Sequence, residues 1–222
     1  MTDRKPEAKK SSLFDFFRLP SDPSSATRTI ALSKELHKKI NEARERTNAS
    51  KTEEEWGFFL HRKGRHLTPG KLEKGVSGGW YTLEAYLAAK KKDPTIQGSM
   101  HAHPPSKRYP GSERKFSEKD IGVFLEAEDV VQICVGPQSD YIMIMRTKQT
   151  NLSHKGIAKE AINIYLNVAR TKVDTNITNG MDRKEAVSKA TLDTMKVIWK
   201  QYNIAVYEGT LNMTATKVDL DV

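Results

Sequence analysis

Two apolar runs close together near the middle of the chain constrain its fold most. Val130 to Val135 is almost unbroken in its apolar character, and Tyr141 to Arg146 follows after the turn Gly136-Pro137-Gln138-Ser139-Asp140. Both read as strands bounded by turn residues. Thr29-Ile30-Ala31-Leu32, Trp56-Gly57-Phe58-Phe59-Leu60 and Thr95 to Met100 read as further strands. Between them lie helical patterns. Ser33 caps a helix to about Thr47, with Leu36, Ile40 and Ala43 at helical spacing. Thr82 to Lys92 and Glu118 to Ala127 form two shorter helices, and Gly156–Lys172 and Arg183–Tyr202 two long amphipathic ones. Strands interleaved with helices define an α/β or α+β domain.

Gly64 to Gly79 contains five glycines and a proline and reads as a loop. Residues 1–28 read as a flexible, disordered tail, interrupted by an apolar patch of Leu13, Phe14, Phe16, Phe17 and Leu19. Residues 29–209 form the domain, and 210–222 a C-terminal tail.

Cys134 is the only cysteine among 222 residues, which excludes a disulfide scaffold, a four-cysteine zinc ribbon and an iron–sulfur cluster. Inside an apolar strand it reads as a small buried hydrophobe. A chain of this length buries roughly 70% of its unfolded surface and needs no staple. No segment approaches the ~18 apolar residues of a membrane span, and no signal-peptide stretch opens the sequence. The expectation is a cytoplasmic protein.

Lys and Arg number 37 against 28 Asp and Glu, a net charge of +9. Most of the excess lies between His61 and Lys119, with 13 basic and 5 acidic residues. An acidic partner would approach there.

The sharpest local signal is His101-Ala102-His103-Pro104 at the end of a predicted strand. Residues i and i+2 share one strand face, so two imidazoles can converge on one zinc. Pro104 stops the strand and opens its mouth to solvent. Ser117-Glu118-Lys119-Asp120 then opens a helix, placing Ser117 and Asp120 on one face, although S-x-x-D also has the form of a capping box. Glu53-Glu54-Glu55 precedes the strand Trp56–Leu60. His37, His61, His66 and His154 stand outside any metal motif, and Trp56, Trp80 and Trp199 read as packing residues.

In this order, an acid, H-x-H-P and S-x-x-D resemble the JAMM (MPN+) zinc metalloprotease family. The similarity extends from about Thr29 to Gly209. The family's E-x-x-G pattern selects Glu54, three residues before Gly57. Ala102 stands where the family has Ser or Thr, and twelve residues instead of seven separate Pro104 from Ser117. Loop closure entropy rises only by about 0.6 kcal/mol per doubling, so the insertion is tolerable.

The resemblance implies a JAMM/MPN-like, cytidine-deaminase-like curved mixed sheet flanked by helices. It implies one Zn2+ per chain held by His101, His103 and Asp120, with Glu54 as acid–base and Ser117 as oxyanion donor. The implied activity is isopeptide or peptide cleavage after the C-terminal tail of ubiquitin or a ubiquitin-like modifier, in deconjugation or precursor processing. Lys107, Arg108, Arg114 and Lys115 in the longer loop would recruit the substrate. An inactive MPN-type scaffold binding a protein partner, and a basic nucleic-acid-binding protein, are the alternative readings.

Overall fold

The computed structural model describes residues 11–12, 19–50, 52, 54–75, 79–105, 116–138, 140–152, 156–210 and 214–220. Along the chain run β1 (Ser11–Ser12), β2 (Thr29–Ala31), α1 (Lys34–Ala49), β3 (Trp56–Lys63), β4 (His66–Pro69) and β5 (Glu73–Lys74). Then come α2 (Leu83–Lys92), β6 (Ile96–Ala102), α3 (Glu118–Glu126), β7 (Val131–Val135) and β8 (Asp140–Arg146). The last elements are α4 (Ile157–Thr178), α5 (Arg183–Gln201), β9 (Ile204–Thr210) and β10 (Thr214–Lys217). Among the described residues the architecture is α/β: five helices around one curled mixed sheet of order β1-β2-β10-β9-β8-β7-β6-β3-β4, with β5 also on β3.

Alternation along the strands sorts side chains onto two cores. Phe58 and Leu60 of β3, Met100 and Ala102 of β6, and Val131, Ile133 and Val135 of β7 pack with Leu36, Ile40 and Ala43 of α1. On the other face, Cys134, Ile142, Ile144, Ile204 and Val206 pack against α3, α4 and α5 through residues such as Phe124, Tyr165 and Trp199. Ser99 and His101 alternate with Met100 and Ala102 along β6, so they point to this second face. Gly98 permits the close β6–β7 approach, because a Cβ there would collide with the Val131 carbonyl oxygen.

Several elements differ from the sequence reading. The glycine-rich segment after β3 folds back as β4 and β5, since Gly64 adopts a left-handed φ of 63° in the two-residue turn between Lys63 and His66. Parts of both expected tails belong to the sheet. Ser11–Ser12 pairs with β2, and Thr214–Lys217 pairs with β2 and β9, burying Ala215. Of the apolar tail patch, Leu19 packs against the α1-side core; Leu13, Phe14, Phe16 and Phe17 lie outside the described residues. No helix among the described residues is long and apolar enough to cross a membrane.

Candidate metal centre

β6 ends in the site. His101 opposes Gly57 of the antiparallel β3 on one side and Cys134 of the parallel β7 on the other. His103 lies just beyond the strand, but its N–H still donates to the Val135 carbonyl at 3.0 Å, so it keeps the face of His101. The head of β3 is clamped beside it: Thr47 Oγ1 accepts from the Trp56 N–H at 3.0 Å and donates to the Ala102 carbonyl at 3.4 Å. The Gly75 N–H donates to the Glu55 carbonyl at 2.7 Å, extending the ladder by one residue. Glu55 therefore alternates with Trp56 and shares the face of Gly57, toward the histidines.

The distances follow from that parity. His101 Nε2 and His103 Nε2 lie 3.0 Å apart. Asp120 Oδ1 is 3.4 Å from His101 Nε2, and Oδ2 is 3.7 Å from His103 Nε2. Glu55 Oε1 is 3.7 Å from His103 Nε2. Asp120 thus turns a different oxygen to each imidazole, Oδ1 to His101 and Oδ2 to His103. His101, His103 and Cys134 also form a group whose donor atoms all lie within 4.8 Å of one another and could hold a metal ion. The sequence reading gave Cys134 no partner. The structure sets its Sγ 3.6 Å from Nδ1 and 3.9 Å from Nε2 of His103.

The predicted base is placed elsewhere. Glu54 Oε1 pairs with Lys74 at 2.7 Å, and its Oε2 accepts from Ser50 at 3.3 Å. The hydrogen bond from Lys74 is the main cause holding its carboxyl below the ordinary value. Strand alternation turns it away from His101, and the acid at the site is Glu55, which the E-x-x-G spacing passes over.

Ser117 and Asp120 form a full capping box at the start of α3. The Ser117 hydroxyl and N–H both donate to Asp120 Oδ2 at 2.7 Å, and the hydroxyl accepts from the Asp120 N–H at 3.3 Å. The serine thus fixes the carboxylate with Oδ1 toward His101, and its own proton is committed there rather than to an oxyanion. The capping and site readings of this motif are the same geometry. Lys107, Arg108, Arg114 and Lys115 lie outside the described residues.

Burial disfavours charge on the imidazoles, yet their acidic neighbours outweigh it. Asp120, with Glu55, raises His101 to about 9. His103 is likewise raised to about 9 against burial, by Cys134 and Glu55. With their Nε2 atoms 3.0 Å apart, only one of the facing nitrogens carries a proton toward the other. Asp120 responds in kind: burial pushes it up, but His101, His103 and Ser117 hold it well below the usual carboxylate range.

These groups open onto a cavity of about 230 Å³. Trp80, Tyr81 and Tyr86 wall it, with Phe59 at ring distances of 5.0–5.3 Å behind them. Ser99 and Gln132 line it deeper in the sheet. Beneath them lies a buried network that the sequence did not disclose. Asp129 accepts from Lys90 at 2.8 Å, Tyr86 at 2.6 Å and Gln132 at 3.0 Å.

No protein-family model and no curated protein matches the chain.

Proposed function

We propose that this protein is a zinc-dependent peptidase of the JAMM type, an isopeptidase acting after the C-terminal tail of a ubiquitin-like modifier. The observation that carries the reading is the convergence of two histidines, a capped aspartate and a separate glutamate on one cavity. Substrate class comes from the motif order in the sequence.

His101 Nε2, His103 Nε2 and Asp120 Oδ1 would hold the zinc. When bound, the ion supplies Lewis acidity toward a water and the substrate carbonyl. Glu55 takes a proton from the attacking water and returns it to the departing amine as the C–O bond forms and the C–N bond breaks. Ser117 positions Asp120. The aromatic wall of Trp80, Tyr81 and Tyr86 excludes water beside the scissile bond. The basic stretch from His61 to Lys119 would draw in an acidic substrate surface.

The test is cleavage of a panel of ubiquitin-like proteins carrying C-terminal fusions by zinc-loaded protein. At least one fusion is cut after its tail; Glu55→Gln retains zinc and loses on the order of 10²–10⁴-fold in rate, while Glu54→Gln retains the wild-type rate. Undiminished cleavage by Glu55→Gln, or no cleavage of any fusion, overturns the reading.

A further inference from the structure

We propose that Cys134 is a sulfur ligand of the same metal, so that the centre draws on both strands of the β6–β7 pair and takes a borderline metal such as Zn2+ or Co2+ rather than Mg2+ or Ca2+. This rests on the metal-site part of the function proposed above, not on the substrate or the reaction.

The argument begins with register. β6 and β7 run parallel with His101 beside Cys134, so the two side chains leave the sheet on one face as neighbours. His103, two residues on, leans over the same position and brings both ring nitrogens within 4 Å of Sγ. The cysteine is fully buried, its other surroundings are the apolar α3–α5 core, and His101 and His103 are the nitrogen donors it meets.

The distances then decide what the sulfur can do. With Zn–S of ~2.3 Å and Zn–N of ~2.05 Å, tetrahedral donors lie ~3.6 Å apart. Sγ stands 3.9 Å from His103 Nε2, the nitrogen that also faces His101 and Asp120. A movement of a few tenths of an ångström brings that pair to the tetrahedral separation, and one donor atom each of His101, His103 and Cys134 already lies within 4.8 Å of the other two. As the S–metal bond forms, the thiol proton leaves to solvent. The protein then offers two nitrogens, one oxygen and one sulfur, a set that excludes hard cations preferring all-oxygen shells. Zinc accepts a fifth partner, so a fourth protein donor does not close the centre to chemistry.

A different arrangement would use the 3.6 Å contact alone, with Nδ1–H of His103 donating to a sulfur that stays unbound. Cobalt distinguishes the two. Metal-free, full-length protein is titrated with Co2+ and followed by absorption, alongside Cys134→Ala and the volume-filling Cys134→Val, with circular dichroism as the fold control. Wild type is expected to bind one Co2+ with a near-ultraviolet sulfur-to-cobalt charge-transfer band beside the visible bands of the tetrahedral ion. The variants lose the near-ultraviolet band, keep the visible bands, and bind Co2+ on the order of tenfold or more weakly. Wild-type binding without the charge-transfer band, or its persistence in both variants, overturns the sulfur assignment while leaving the histidine–aspartate centre standing. No Co2+ binding by wild type overturns both.

Discussion

Removing the Asp129 side chain is a perturbation whose cost can be built from named contacts. Asp129 is fully buried in the turn between α3 and β7, and Lys90, mostly buried itself, reaches it with Nζ at 2.8 Å and the Ala127 carbonyl at 2.5 Å. Tyr86 and Gln132 spend donors on its Oδ2. Burial pushes the Asp129 carboxyl above its ordinary value, and the three donors pull it part of the way back. Asp129→Ala leaves one cation without its counter-charge, and breaking a buried pair from one side costs about 3–5 kcal/mol. Each orphaned neutral donor costs about 1–3 kcal/mol where water cannot reach it. Lys90 retains one carbonyl partner and a path toward solvent, which holds the total near the lower figures, about 3–5 kcal/mol. At a urea slope of about 2–3 kcal/mol/M, the midpoint falls by about 1–2.5 M. Lys90→Met/Asp129→Leu removes both charges and costs less than the single change, although it alters more atoms. Urea unfolding of the three proteins followed by tryptophan fluorescence measures both quantities. A single variant within about 1 kcal/mol of wild type, or a double variant less stable than the single, refutes the reasoning.

Two further outcomes follow from the same geometry. Asp120, with Glu55, raises His101 from 6.5 to about 9, so the stability this imidazolium lends metal-free protein is complete below pH 6.5 and lost as pH rises through 9. Thermal melts in chelator should therefore show a falling midpoint between pH 6.5 and 9, a fall absent with zinc, and a flat or rising midpoint in chelator contradicts this. Gly57→Ala should cost about 1–3 kcal/mol in urea, because its Cβ would press on the Met100 carbonyl and lie 2.7–2.8 Å from the Trp80 ring; wild-type stability would show that the cavity wall yields freely.

The sequence exposes those parts of the site that local chemistry determines. His101-Ala102-His103-Pro104 ends a strand because alternation and the proline act within a few residues, and Ser117 caps α3 because its partner Asp120 lies one turn away. What depends on long-range register stays hidden. Whether Glu54 or Glu55 faces the histidines is decided by Gly57 pairing with His101, and a one-residue difference changes the face. Cys134 meets His103 only because β7 lies parallel to β6. β10 carries Thr-Ala-Thr-Lys, too short and polar to announce a strand, and acquires that state by pairing on both edges. α4 runs on to Thr178, past the apolar periodicity that ends near Lys172. Thr171, Thr175 and Thr178 donate to carbonyls one turn back, and Gly180 follows with a φ of 87°. In the aromatic wall, Trp80 and Tyr81 sit in a glycine-rich stretch without periodicity, and their clustering with Phe59 is tertiary.

Metal content tests the central claim most directly. Protein purified without chelator, dialysed against zinc and then against metal-free buffer, should retain close to one zinc per chain by elemental analysis, and His101→Ala/His103→Ala should retain none while keeping its helical circular dichroism. Full zinc occupancy in the double variant, or a wild-type protein that retains no zinc, would contradict the account.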